Sequence, residues 1–397
     1  MHLDRITSDL PTDVPLVTVV MDATRESETG VQAVLTRWKD LRRGVEDQLD
    51  GETLAALDDR VRDISNAAGR HGRVLVAAGG QVHLDCVLAE PPAQDDAVVG
   101  LNAFALARAA DEHVRYLLAA VDRSGTDVTY HISATSQAGT PAGYDGGESY
   151  EGGHDELSKA NTGGWSHRRY ESRAEDSWER NAEAVAGELD RLVAELRPEL
   201  LLLTGDVRAR ALVEDELGHA AKELVLTVDG GSRSAGAKSE TFQQHVTDVL
   251  EQYRLRRREQ VLDTFRQVHG QDGAAVTGRD AVLDVLRRGQ VGDLLLTESA
   301  AGPPSTLARS TVWVGNDPLQ LGDRSDVVEM GATAPHEVRA DLAVGQAALG
   351  QGAGITVVDD AAMDVPDGVA ALLRWDDRAT PAAHAFTLSG DAGRDPR

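Results

Sequence analysis

Short aliphatic runs recur along the chain, and their length restricts them to strands. PLVTVVMD (15–22), RVLVAA (73–78), QVHLDCVL (81–88), YLLAAVD (116–122), ELLLLTGD (199–206), ELVLTVD (223–229), VGDLLLTE (291–298) and GITVVDD (354–360) are all bounded by turn residues or charges. Apolar, β-branched runs of this size between such boundaries build strands. The longest uninterrupted aliphatic runs, such as LLLL at 200–203, are far below the roughly 20 residues that cross a bilayer. Between the runs, apolar residues recur at three- and four-residue spacing, as in helices that cover a sheet. The pattern predicts an α/β protein built in layers.

The pattern restarts twice, which divides the 397 residues into three α/β domains. Residues 1–114 hold two helical patterns, a pair of runs joined by Gly79 and Gly80 in the manner of a two-residue hairpin, and a closing helix in AFALARAADEH. Residues 115–269 form a middle domain. It opens with a hairpin at Ser124–Gly125, passes through a Gly-, Ser- and Asp-rich loop from Ser133 to Gly164, and enters a long amphipathic helix that Pro198 ends. A strand, a helix at 207–218, another strand and an Arg-rich helix at 240–269 follow as a βαβ-type arrangement. Residues 270–378 read as a C-terminal α/β/α domain, with a helix closing at Gly289, a second helix at 336–349 and strands between. Residues 379–397 read as a tail.

The formal net charge of −26 excludes adhesion to nucleic acid by bulk charge. Only Lys39, Lys159, Lys222 and Lys238 are lysines, and every other basic residue is Arg. Guanidinium forks grip phosphate bidentately, so local sites can act against the global charge. A genome that favours Arg, Asp and Glu explains the same bias. The single cysteine, Cys86, rules out an intramolecular disulfide and a Cys-based zinc site. It alternates with Val82 and Leu84, which puts the thiol on the buried face of a strand. The first residues carry Asp4, Asp9 and Asp13 and no apolar signal-peptide core. The expectation is a cytoplasmic protein with neither a membrane nor a DNA partner.

Enzymatic signatures such as HExxH, GxSxG and a P-loop are absent, and no histidines pair at i, i+4. No metal or cofactor is expected. GQGAG (350–354) follows a helix and precedes a strand, the reverse of a dinucleotide-binding turn. Gly79-Gly80-Gln81 sits between two strands, where a tight turn accounts for it. The more informative site is Gly163-Gly164-Trp165-Ser166, followed by His167, Arg168, Arg169 and Arg173 in the first turns of the long helix. Late in the middle domain, Arg254, Arg256, Arg257 and Arg258 crowd one helix. They could contact RNA, or form a solvated face that complements the helix dipole.

The order hairpin, long loop, Gly-Gly-X-Ser with nearby Arg, long amphipathic helix, strand, helix, strand and Arg-rich helix resembles the central domain of the archaeo-eukaryotic release factors and Pelota. RDAVLDVLRRGQVGDLLLTE (279–298) is similar to the start of that family's C-terminal domain, and the likeness spans about residues 115–375. In release factors the loop reads GGQS, two residues, then Arg; here it reads Gly163, Gly164, Trp165, Ser166, His167, Arg168, Arg169. The subgroup resembled most is the bacterial one that includes the ribosome hibernation factor Balon and its actinobacterial relatives. The resemblance implies binding at the ribosomal A site through rRNA, in company with elongation factor Tu, and protection of idle ribosomes.

The departure from GGQ bears on chemistry. The family's Gln places a water against the peptidyl-tRNA ester by proximity and amide hydrogen bonding. An indole donates one N–H, accepts nothing, and fills the space a water needs. It can instead stack on an unpaired base, a contact of about 1–3 kcal/mol, or pack against its own domain. The reading is a non-hydrolytic, ribosome-binding translation factor acting in hibernation or stress, with Gly163, Gly164, Trp165, Ser166, His167, Arg168, Arg169, Arg173, Arg254 and Arg257 as candidate RNA contacts and no catalytic residue. A ribosome-rescue peptidyl-tRNA hydrolase and an acidic stress adaptor off the ribosome remain the alternatives.

Overall fold

In the computed structural model, the first aliphatic run becomes β1 (Val17–Asp22), an inner strand of an antiparallel sheet. It lies between β2 (Gly72–Ala78) and β4 (Asp96–Val99), with β3 (Gln81–Leu88) outside β2. The structure describes residues 3, 7, 10–11, 14–25, 30–63, 69–122, 125–133, 144–152, 157–159, 174–232, 240–271, 273–377 and 380–381. Gly79 and Gly80 have φ of +55° and +78°, the two left-handed positions of a tight hairpin turn, so the GGQ tripeptide here is a turn. Strand β4 is not marked in the sequence, because DAVV is only four residues long and begins with a charge.

Alternate residues of this sheet feed two different cores. Val17, Val19, Met21, Leu75 and Ala77 face helices α1 (Gly30–Val45) and α2 (Gly51–Arg62), which contribute Trp38 and Leu57. On the other face Val20, Val74, Val76, Cys86 and Leu88 meet α3 (Ala103–Glu112), capped by Asn102. Cys86 is buried as expected, and burial among acidic neighbours pushes its thiol up to about 12. Nearly every residue of α3 is buried, which a helix on the surface of one sheet does not require.

The middle unit is a six-stranded sheet. Its strands are β5 (Val114–Asp122), β6 (Gly125–Ser133), β7 (Tyr144–Gly152), β8 (Leu157–Lys159), β9 (Leu200–Gly205) and β10 (Val225–Thr227), in the order β10-β9-β5-β6-β7-β8. Strands β5, β9 and β10 run parallel, and β5 to β8 form an antiparallel meander. The expected loop from Ser133 to Gly164 therefore contains two strands. YDGGESYEG has no apolar alternation to betray a strand, and its pairing rests on backbone hydrogen bonds to β6. Helices α4 (Ala174–Leu196), α5 (Val207–Glu216) and α6 (His219–Lys222) cover one face through Val185, Leu189 and Val213. At the end of β9, Gly205 has φ of +109°, and a Cβ there would lie 2.0 Å from the Val121 carbonyl.

Helix α7 (Glu240–Gly270) covers the other face of that sheet, burying Phe242, Val246 and Leu250 against Tyr116, Leu118 and Leu202. Its 31 residues span about 46 Å. Beyond Leu250 it enters a second core, where Leu262 and Phe265 pack on Ala275, Leu295, Val358 and Leu372. These belong to a sheet of β11 (Ala275–Thr277), β12 (Val291–Thr297), β16 (Gly354–Val358) and β17 (Val369–Leu373), ordered β11-β17-β12-β16. Helices α8 (Arg279–Arg287) and α11 (Ala340–Gly350) lie on its far side. A small sheet of β13 (Thr311–Val314), β14 (Leu321–Gly322) and β15 (His336–Arg339) flanks it, with the short helices α9 (Thr306–Arg309) and α10 (Arg324–Glu329). The helix expected from 336 thus starts at Ala340, because HEVR pairs with β13 through Val338 and Val312.

Helix α3 is buried on both sides because it lies between two units. One apolar cluster runs from Val74 and Cys86, through Phe104 and Leu106, to Leu294, Val344 and Ile355. The first and third units share a core with α3 in its middle. The helices cross so closely that a Cβ on Gly345 would lie 2.8 Å from Cβ of Ala103. Arg339 reinforces the joint: Nε and Nη2 donate to Asp341 at 3.1 and 2.6 Å, and Nη1 donates to Asp96 of β4 at 3.0 Å.

Phe242 and Phe265 anchor the two ends of α7 in separate cores. Truncating either to Ala is expected to cost about 3–5 kcal/mol, read as a lowered urea midpoint by circular dichroism. An unmoved midpoint for one variant would mean that its half of α7 is not packed.

Candidate functional site

Gly163, Gly164, Trp165, Ser166, His167, Arg168, Arg169 and Arg173 lie outside the described residues. Their anchors are described. Strand β8 at the outer edge of the six-stranded sheet precedes them, and α4 follows, packed on the body of that sheet through Val185 and Leu189. The segment 160–173 thus connects the edge opposite β10 with the first turn of a well-buried helix. In the sheet itself, the rings of Tyr116 and His131 stack at 4.9 Å with 17° between planes, and His131 Nε2 lies 2.7 Å from Thr129 Oγ1. Burial pushes His131 down to about 4, which keeps the imidazole neutral near pH 7.

The Arg cluster of α7 is placed by helix geometry. Residues 254, 257 and 258 share one face, and 256 points away from it. Arg256 is exposed, while Arg254 is only 7% exposed. Arg254 donates from Nε to the Leu250 carbonyl at 3.4 Å. Arg257 donates from Nη1 to Glu199 at 2.7 Å, and from Nη2 to the Asp111 carboxylate at 2.8 Å and to its carbonyl at 2.9 Å. Its guanidinium also stands 5.4 Å from the centre of the Tyr253 ring. Arg258 grips the other oxygen of Asp111 through Nε and Nη2. Arg254 and Arg257, expected at an RNA face, are therefore engaged inside the chain, at the last turn of α3. One signal in the sequence points this way. Asp111 and Glu112 sit at the negative end of a helix, which is unfavourable unless cations cap it.

Glu112 is the most perturbed carboxyl of this junction. It is 5% exposed, accepts the Ala89 N–H at 2.5 Å, and lies 3.8 Å from Arg108 Nε. Burial pushes it up to about 7, against the pull of the Ala89 hydrogen bond and of Arg108 and Arg254. The adjoining His113 is pushed down by burial, its Nδ1 2.5 Å from the Ala109 carbonyl. A cleft of about 30 Å³ opens beside Asp111, Arg257, Arg258 and Glu298, enough for about two water molecules. Among the described residues no group of three or more His, Cys, Asp or Glu is placed to hold a metal, and no described helix is long and apolar enough to cross a membrane. The junction's ion pairs hold α3, α7 and the start of β9 together.

The raised pKa of Glu112 has a definite sign. Above pH 4.5 the unfolded carboxyl ionises while the buried one stays protonated, so its contribution to stability falls as pH rises to about 7. Glu112→Gln removes that dependence. Relative to the parent, the variant is expected to gain up to about 3 kcal/mol in urea denaturation between pH 4.5 and 7.5. A pH-independent difference would contradict the burial assigned to this carboxyl.

Residues 115–271 match the family model of the bacterial archaeo-eukaryotic release factor family 2, a span that coincides with the unit from β5 to α7. Over 387 residues the chain is 27% identical to the uncharacterized protein Rv2629 of Mycobacterium tuberculosis, covering 94% of this chain and 97% of that protein. Among solved structures, Dom34 of S. cerevisiae, a translation termination-like factor that interacts with Hbs1, aligns with a TM-score of 0.38 at 11% identity, over 78% of this chain and 82% of its own. Archaeal Pelota, in a model of its ribosome-bound state with ABCE1, aligns with a TM-score of 0.36 at 13% identity, over 94% of each chain. These low scores add nothing to the family match. The segment 115–271, which brackets Gly163-Gly164-Trp165 between β8 and α4, is thus similar to the bacterial archaeo-eukaryotic release factor family 2.

Proposed function

We propose that this protein is a ribosome-binding translation factor that occupies the A site of idle ribosomes and protects them during hibernation or stress, without hydrolysing peptidyl-tRNA. The observation that carries the reading is Gly163-Gly164-Trp165, which lies inside the matched span 115–271 and which we equate with the GGQ of release factors. The Gly pair lets the backbone approach a crowded RNA surface. Trp165 removes the amide that would position water, and supplies a face for base stacking. Arg168, Arg169 and Arg173 follow within eight residues of Trp165 in the sequence and form the phosphate contacts. Arg254 and Arg257 take no part, since their guanidiniums serve the α3–α7 junction.

The resemblance read from the sequence also suggests a partner. A bacterial chain of this kind would be delivered with a translational GTPase, and elongation factor Tu is the one we propose. The overall charge of −26 then keeps the rest of the surface off rRNA, which confines attachment to the Arg168–Arg173 region.

Two measurements test this reading. In sucrose gradients the protein from stressed cells is expected to co-sediment with ribosomes. Replacing Arg168, Arg169 and Arg173 together with Gln is expected to weaken binding and to flatten its salt slope by about one unit for each phosphate that is no longer gripped. An unchanged slope would place these residues away from RNA. In a peptide-release assay on stalled complexes the parent protein is expected to be inactive, and release by the parent would favour the rescue-hydrolase reading instead.

A further inference from the structure

The two joints around the first unit differ in kind. Toward the third unit it shares a continuous apolar core, fastened by Arg339 on Asp96 and Asp341. Toward the middle unit, no apolar cluster of described residues includes side chains from both. What joins them is ionic. Asp111 of α3 holds Arg257 and Arg258 of α7, and the second arm of Arg257 holds Glu199, whose backbone N–H donates to the Arg115 carbonyl beside the start of β5. Glu112 and Arg254 lie immediately alongside.

Helix α7 shows the same division along its length. Its first half ends in the middle unit's core at Leu250, and its second half enters the third unit's core at Leu262. Tyr253 still packs on the middle unit's core and Val261 already packs on the third's, and the turns between them carry the arginines and belong to neither core. Two bodies result, one built from the first and third units and one from the middle unit. They are linked by the chain at 113–114, by the central turns of α7, and by this cluster. A polar interface between units yields to relative motion far more readily than a shared core, and charge pairs at a partly open cleft are weakened by salt.

We infer that Asp111 is the bolt of an ionic latch, which holds the middle unit in one orientation on the body formed by the first and third units, and whose release lets the middle unit swing about the central turns of α7. The latch belongs to the free protein and does not depend on the ribosomal reading. The opened state exposes Arg257 and Arg258, whose forks are filled by Asp111 in the closed one.

The test is a distance measurement on the full chain. Spin labels are placed by Asp47→Cys, on an exposed position of the first unit, and Glu183→Cys, on the exposed side of α4. Cys86 is buried and stays in place. Pulsed electron paramagnetic resonance is expected to give one narrow distance in dilute buffer and a second population in about 1 M KCl. Asp111→Asn is expected to show both populations in dilute buffer, whereas Glu298→Gln, which changes a carboxylate of the same cleft that does not hold Arg257 or Arg258, keeps the single one. If Asp111→Asn folds poorly by circular dichroism, the paired Arg257→Gln and Arg258→Gln substitution breaks the latch from the other side. A single unchanged distance in whichever of these variants folds overturns the inference.

Discussion

A helix of 31 residues with an apolar anchor at each end and charge in the middle cannot be satisfied by one core, and the arrangement of this molecule follows from that. Phe242 and Phe265 lie about six turns apart along α7, so each end must find its own sheet. The central turns then cross a gap between units, where burying apolar side chains is not available and ion pairs take over. Asp111 and Glu112 supply the carboxylates because α3 ends there, pinned between the first and third sheets. The geometry of α3 and of α7 is therefore a single problem, solved at their crossing by Arg254, Arg257 and Arg258.

Much of the fold was legible because its strands are aliphatic on both faces or sit in hairpins marked by glycine. PLVTVVMD, the Gly79–Gly80 hairpin, YLLAAVD, ELLLLTGD and GITVVDD all became strands, and α5 and α8 lie within a few residues of their expected positions. The misses share a physical cause. Strands β7 and β4 take their pairing from neighbours and lack apolar alternation of their own, and β15 looks helical until β13 is beside it. Sharing of α3 between two sheets is a property of assembly, which a pass along the chain does not contain, although the nearly all-apolar AFALARAA hinted at it.

The candidate site was legible in a different measure. Gly163-Gly164-Trp165 and its Arg neighbours stand out by motif alone, and the matched family brackets them. The α7 arginines were readable as a cluster but not as an internal one, since spacing shows that 254, 257 and 258 share a face without showing what that face meets. The acidic pair at the end of α3 was the missing half of the signal. An Arg-rich segment in a chain of charge −26 has abundant internal carboxylates to meet, and here it meets them first.

The RNA contact we propose is the region around Trp165, on the unit whose orientation the proposed Asp111 latch sets. The central claim is that this region reaches the heart of the ribosome and does no chemistry there. A cryo-electron microscopy reconstruction of ribosomes purified with the bound protein tests it most directly. The account predicts density for residues 160–173 entering the A site toward the peptidyl-transferase centre, with Trp165 against a base and any peptidyl-tRNA ester intact. Density for the protein elsewhere on the particle, or a hydrolysed tRNA beside an ordered water at residue 165, would contradict it.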